Sequence, residues 1–157
     1  MGIYVMLTIR VVAVGTIKDG FFRDAVAEYA KRLGGKYCKF EVSEVAEASH
    51  KDTTSQIRAE SQSIREKLKG TVFLCDVGGK PLSSEGLAEL IERNSQTTSV
   101  LTFVIGGSHG VGNELDDVVA GKISLGNMTF PHQLFRVMLA EQIYRAFTII
   151  NGERYHK

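Results

Sequence analysis

The sequence is poor in cysteine, almost balanced in charge and without a long apolar run, and each shortage removes a class of protein. Cys38 and Cys75 are its two cysteines. They lie far apart and match no CxxC-like metal spacing, so neither a disulfide framework nor a zinc site is expected; two small hydrophobes in a reduced, cytoplasmic setting are. The apolar opening "MGIYVMLTIRVVAVG" is interrupted by Arg10, has no basic region before it and falls short of the ~20 residues of a membrane-spanning helix. It reads as a buried strand, and no membrane partner is expected. The 19 basic and 18 acidic residues leave a net charge of +1, which gives no global pull toward nucleic acid or anionic lipid. An RNA partner would have to be met by a local patch.

Familiar site signatures are missing as well. "GSHGVGN" carries Asn113 where a Walker-type loop needs a lysine for the β/γ-phosphates, and neither it nor the first strand-to-helix turn, "VAVGTIKDG", has the GxGxxG order. No Ser-His-Asp arrangement and no paired metal ligands can be read from the spacing, so no metal is expected. His109 and His132 are lone histidines beside loop glycines, a setting in which a structural role is commoner than a catalytic one. There is no internal repeat and no low-complexity segment.

What is present is a regular alternation of short apolar runs with helical patterns. "LTIRVVAVG" is β-branched and stops at Gly15. "FFRDAVAEYAKRLGG" places Phe22, Ala25, Val26, Tyr29 and Leu33 at helical spacing before a glycine stop. "CKFEVSEV" suits a strand with one face partly wet, and "TTSQIRAESQSIREKLKG", with few apolar residues, predicts an exposed helix. "TVFLCDVGG" is a strand, "SSEGLAELIERN" a helix capped by Ser83 or Ser84, and "SVLTFVIGG" the best candidate for the central strand of a parallel sheet. "ELDDVVAG" predicts a short helix, "KISLG" a short strand and "PHQLFRVMLAEQIYRAFTIING" a long closing helix with Pro131 at its entry and Gly152 at its stop. The pattern is that of one α/β domain over residues 1–157, three layers around a largely parallel sheet.

Two features of this pattern bear on function. Leu134, Phe135, Val137, Met138, Leu139, Ile143, Tyr144, Phe147, Ile149 and Ile150 project in nearly every direction, so the last helix is either a core helix or packs one face on the sheet and another on a second copy of the chain. Three glycine-bearing loops, "VGGKPLSSEG", "IGGSHGVGNE" and "SLGNMTFPH", follow strands. In an open α/β sheet such loops converge at the carboxyl edge, where they either hold a nucleotide-like ligand by main-chain groups or simply turn the chain.

The segments "FVIGGSHG" and "SLGNMTFPHQLFRVMLAEQIYRAFTIINGERYHK", together with "RVVAVGTIKDG", "EYAKRL" and "GKPLSSEGLA", resemble the RlmH family, small bacterial methyltransferases of the SPOUT superfamily that modify a pseudouridine of large-subunit ribosomal RNA. The resemblance covers nearly the whole chain, with "MTFPHQLFRV" and the terminal "YHK" its most specific marks. It departs from the family in the residues before Met6, which leaves Met1 and Met6 both as starts, and at Cys75, where members tend to carry a larger apolar residue. It implies a carboxyl-terminal trefoil knot, an exception to the rule that chains do not thread, and a homodimer that binds S-adenosylmethionine in the knot. The cofactor contacts it implies are Cys75 through its main chain, Gly106, Gly107, Leu125, Gly126, Asn127, Met128, Thr129 and Phe130.

The implied substrate is N3 of a pseudouridine in 23S ribosomal RNA, met on the assembled ribosome. The resemblance places Tyr155 and His156 at the active site and leaves open which takes the N3 proton. Arg136, Arg145, Arg154 and Lys157 are candidate RNA contacts in a segment where Glu141 and Glu153 are the only acids. Arg145, four residues after Glu141, has the alternative of a helix-surface ion pair, and Arg136 that of a solvated face. The rivals are a non-catalytic ribosome-associated RNA-binding protein on the same scaffold and a related methyltransferase acting on transfer RNA, against which the lack of an appended RNA-binding domain argues.

Overall fold

In the computed structural model, residues 6–49 and 51–157 are described; the first five residues, and with them the choice of start, lie outside this range. Nine elements follow the predicted alternation: β1 (Thr8–Val14), α1 (Gly20–Leu33), β2 (Lys39–Val45), α2 (Thr53–Arg65), β3 (Thr71–Pro81), α3 (Ser84–Ser95), β4 (Val100–Ile105), β5 (Gly121–Ser124) and α4 (His132–Ile150). The caps are local chemistry. Asp52 accepts from the Ser55 backbone at 2.7 Å to start α2, and Ser83 from that of Gly86 at 3.0 Å to start α3, each satisfying a donor that the first turn leaves unpaired.

The strands form one sheet in the order β2-β1-β4-β3-β5, every pairing parallel. A parallel sheet needs both faces covered, which is why β1 and β4 read as nearly continuous apolar runs. Alternate residues of β1 divide between two cores. Ile9, Val11 and Ala13 meet Leu33, Leu87, Ile91, Leu139 and Ile143 from α1, α3 and α4. Val12 and Val14 meet Ile64 of α2 and, from the segment between β4 and β5, Val111 and Leu115. β4 lies in the middle of the sheet, as its sequence predicts, and β2 forms one edge with Val42 40 % exposed.

Two expectations are corrected. "ELDDVVAG" is no helix: residues 112–118 form successive turns, with short-range bonds from Asp116 to Asn113 and from Val118 to Leu115. Leu115 is drawn into the core at 1 % exposure, and the adjacent valines and aspartates have low helix propensity, so burial of this one leucine decides the conformation. Nor is α2 simply exposed. It buries Glu60, Ser61 and Ile64, a face that hydropathy conceals because two of its three residues are polar.

β3 outruns its neighbours. Its pairing with β5 shifts between Cys75 and Lys80, so the chain bulges at the carboxyl edge before rejoining β5. Gly79 makes this possible: a Cβ there would stand 2.7 Å from the Ile123 nitrogen, inside any allowed contact. From β5, at the sheet edge, the chain returns to α4, which packs on both α1 and α3. α4 buries Leu139, Ala140, Ile143, Ala146 and Phe147 but leaves Leu134, Val137 and Met138 half-exposed.

The entry of α4 is clamped by Arg136, 3 % exposed. Its guanidinium pairs with Glu44 at the end of β2 and donates to the carbonyls of Gly15 at 3.0 Å and Val14 at 3.4 Å at the end of β1. This corrects both earlier readings of Arg136: it is neither on a solvated face nor available to RNA, because its two terminal nitrogens are taken by these partners, while its buried Nε has none among the described residues. Replacing Arg136 with Ala removes a donor from Gly15 and Val14 and leaves the exposed Glu44 only the Ile17 N–H at 3.3 Å, and urea unfolding is expected to show a loss of about 1–3 kcal/mol; a loss under about 0.5 kcal/mol, the size of an ordinary surface substitution, would mean that Arg136 does not clamp α4.

Candidate functional site

Because all five strands run the same way, their carboxyl ends share one edge, the place where open α/β sheets bind ligands. A cavity of about 360 Å³ opens there, walled by three loops: the end of β3 from Cys75 to Val77, the Gly106–Gly112 loop after β4 and the Ser124–Phe130 loop after β5. Its size is within the range of small-molecule sites. The second loop is folded on itself. Gly110 donates its N–H to the Gly107 carbonyl at 2.9 Å, and a Cβ at Gly106 would stand 2.7 Å from a Val111 methyl. In the third loop the Ser124 hydroxyl donates to the Gly126 carbonyl at 2.8 Å and accepts from the Gly126 N–H at 3.1 Å, which fixes a glycine of φ +142°.

Of the nine residues implied as cofactor contacts, Cys75, Gly106, Gly107, Leu125, Gly126, Met128, Thr129 and Phe130 line this cavity, and Asn127 does not. Met128 stands at the mouth, 76 % exposed. The Cys75 thiol is pushed up to about 12 by desolvation, so it presents a neutral wall and no thiolate nucleophile. His109 and His132 also line the cavity. Sequence reading set both aside, and the signal that would have kept them was available: each lies within one of the glycine-bearing loops.

Among the described residues the lining includes Asp76 and no lysine or arginine. Such a wall carries no permanent cation to neutralise a phosphate, whereas main-chain N–H and C=O groups and the apolar Leu125, Met128 and Phe130 suit a nucleoside whose attached group is neutral or cationic. S-adenosylmethionine has that character, and the residues present fit it.

The carboxyl-terminal residues form a second cluster. Arg145 pairs with Glu141 at 2.6 Å, lies 4.8 Å over the Tyr155 ring and reaches His156 Nδ1 at 3.1 Å. Tyr155 packs edge-on against Tyr144, with ring centroids 4.7 Å apart, and its hydroxyl donates to Glu141 at 3.2 Å. His156 Nε2 lies 2.7 Å from Glu85 Oε1. A guanidinium only donates, so Nδ1 accepts and the neutral ring carries its proton on Nε2, given to Glu85. That bond is the first cause holding the Glu85 carboxyl below the usual carboxylate range. Arg145 therefore realises its ion-pair alternative and does more, since it also organises the tail. Arg154 and Lys157 are exposed.

The two clusters are not joined within one chain: neither Tyr155 nor His156 lines the cavity. Between them runs a groove bordered by Tyr29, Leu82, Leu125, Val137, Met138 and Glu141. It shares Leu125 with the cavity, and its Glu141 accepts the Tyr155 hydroxyl.

Burial, then the charge of Glu141, pushes the Tyr155 phenol up to about 12 from 10.0. A raised acid is stabilised in its neutral form, so the contribution of the docked tail is complete below pH ~10 and is lost as pH rises from there through about 12. Ultraviolet titration of the protein against Tyr155→Phe should therefore show one phenol that stays protonated at pH 10; a Tyr155 that titrates like free tyrosine would mean that the tail is not docked.

A family model described as a predicted SPOUT methyltransferase matches residues 7–156. Curated relatives named "Ribosomal RNA large subunit methyltransferase H" include one from Clostridium beijerinckii, 42% identical over 96% of this chain and 100% of its own, and one from Limosilactobacillus reuteri, 44% identical over 96% and 100%. A third, from Caldicellulosiruptor saccharolyticus, is 40% identical over 95% and 99%. Among solved structures, a probable methylase family protein from Haemophilus influenzae Rd KW20 aligns with a TM-score of 0.57 at 13% identity, covering 95% of this chain and 70% of that one; this likeness concerns the fold alone.

Proposed function

The chain belongs to the SPOUT methyltransferase family, and from that premise we propose that it transfers the methyl group of S-adenosylmethionine to N3 of a pseudouridine in 23S ribosomal RNA, on the assembled ribosome in the cytoplasm. The observation that carries the donor assignment is the cavity at the carboxyl edge, walled by main chain and apolar side chains and free of lysine and arginine. The relatives' shared name, at 40–44% identity over nearly full length, supports ribosomal RNA as the acceptor. No observation favours the non-catalytic alternative. The return of the chain from β5 to α4 supports reading the carboxyl end as a trefoil knot.

The bound donor supplies an electrophilic methyl on sulfur. Gly106, Gly107, Leu125, Gly126, Met128, Thr129 and Phe130 would hold it, and fixing its orientation toward the acceptor would be worth several orders of magnitude in rate. The acceptor N3 carries a proton that must leave. Tyr155, its phenol pushed up to about 12, stays protonated near neutrality and acts as a hydrogen-bond donor that orients the base. His156 is the proton acceptor: its Nδ1 lone pair is engaged by Arg145 in the isolated chain and is released when Arg145 turns to the RNA. The exposed Arg154 and Lys157 meet backbone phosphates.

Since the tail does not reach the cavity of its own chain, the site is completed by a second copy. The half-exposed Leu134, Val137 and Met138 of α4 supply the apolar face for a homodimer in which each tail serves the partner's cavity. Deleting Tyr155–Lys157 should leave the fold and S-adenosylmethionine binding by calorimetry intact. Methylation of ribosomes from cells lacking the protein, read by mass spectrometry of 23S RNA, should fall by at least about 100-fold, the range of a lost acid–base and positioning group. Normal methylation by the truncated protein would make the tail passive.

A further inference from the structure

Behind the second cavity loop lies a carboxylate with no evident structural need to be charged. Glu60, on α2, is 2 % exposed. Its Oε2 accepts from the Ala48 N–H at 2.9 Å and, more weakly, from Gln56 Nε2 at 3.5 Å, while Oε1 receives no hydrogen bond from any described residue. That orphan oxygen is aimed at the loop: a Cβ built on Gly107 would stand 2.5 Å from it. Gly107 is itself part of the cavity wall, so glycine lets the carboxylate press against the back of the site. The neighbouring Ser61 hydroxyl donates to the Val111 carbonyl at 3.3 Å, which fixes α2 to the same loop. At the loop's other end Glu114 Oε2 is likewise buried without a partner, 2.7 Å from where a Cβ of Gly112 would be.

Leaving a buried carboxylate oxygen unpaired costs free energy that a neutral or apolar residue would not. Among the described residues no cation pairs with Glu60, and no lysine or arginine lines the cavity in front of it; Arg136 is committed to Glu44, and Lys122 is held by Asp116 at 2.9 Å. The remaining use for a negative charge in this place is the ligand. Resting on the donor assignment above, we infer that Glu60 is a buried counter-charge that makes the cavity prefer the positively charged sulfonium donor to the neutral thioether product. It touches neither and acts through the field that crosses Gly107, so it is a positioning and specificity residue. Unlike Asp76, which also borders the cavity but is exposed, it is shielded from solvent, and a charge of this kind keeps its reach where surface charges lose theirs to screening.

Donor and product share the same nucleoside and amino-acid parts, and differ by one methyl group and the charge on sulfur. The ratio of their affinities therefore isolates the effect of charge from any general loosening of the loop. Calorimetry of the full-length protein with S-adenosylmethionine and with S-adenosylhomocysteine is the test, on wild type and on Glu60→Gln, which keeps the shape and removes the charge. Wild type is expected to prefer the donor by about tenfold, ~1.4 kcal/mol. The variant should lose that preference through weaker donor binding, with product binding unchanged. A variant that weakens both compounds alike, or neither, overturns the inference while leaving the donor assignment in place. Should Glu60→Gln fail to fold, wild type alone decides, since product bound as tightly as donor contradicts a counter-charge. Wild type that binds neither compound overturns the donor assignment, and this inference with it.

Discussion

The pairing of buried Arg136 with Glu44, whose side chain is 37% exposed, is the constraint on which the working part of the molecule depends. Arg136 sits in the first turns of α4 and its partners are the last residues of β1 and β2. The cation is therefore satisfied only when α4 begins directly at the carboxyl edge of the sheet. The chain must reach that point from β5, on the opposite side, through residues 125–131, and a short span stretched between two fixed ends has little freedom. The third wall of the cavity is thus positioned by an ion pair that does not touch it. Gln133 adds a lighter tie in the same direction, accepting from the Lys18 N–H at 3.1 Å.

With that edge fixed, the cavity follows from parallel strands and small residues. Main-chain groups make the wall because glycine at 79, 106 and 107 lets strands and loops approach closer than any side chain allows. The main-chain part of this wall is neutral, so its selectivity also depends on what stands behind it. Here that layer is α2, the helix that its sequence made look least important.

The architecture was legible in the sequence because parallel strands buried on both faces are simply apolar and glycine marks their ends; the order of strand and helix, the central place of β4 and the caps at Ser83, Pro131 and Gly152 all follow from local pattern. The cavity-lining loops were legible for the same reason, helped by the family resemblance. Tertiary decisions were not. Nothing in "TTSQIRAESQSIRE" distinguishes Glu60 from its exposed neighbours, since burial of a carboxylate is settled by what packs over it. Arg136 read as surface charge for the same reason: its partners are 92 and 121 residues away in sequence. "ELDDVVAG" looked helical on length and spacing, and lost its helix to the burial of Leu115.

The carboxyl-terminal cluster also explains how a tail can be ordered and still be redeployed. Its polar contacts are inexpensive to exchange. Glu85, the partner of His156, is 64% exposed in its side chain, and water readily replaces a partner at so open a carboxylate. Arg145 and Glu141 are more enclosed, at 25% and 17%, and both lie on α4, so their pairing with each other does not depend on the tail's own residues; the Nδ1 contact of Arg145 is the part that an RNA phosphate would replace. What the tail gives up on leaving is chiefly the packing of Tyr155 on Tyr144 and under Arg145, worth about 0.5–1.5 kcal/mol for the aromatic pair beyond its buried area. A ribosomal RNA surface that offers a base to stack on and a phosphate for Arg145 returns contacts of the same chemical kind. The isolated chain therefore holds its terminal tyrosine and histidine by a buried aromatic contact and exchangeable polar ones, and under the proposed function an RNA acceptor would compete for the polar ones first.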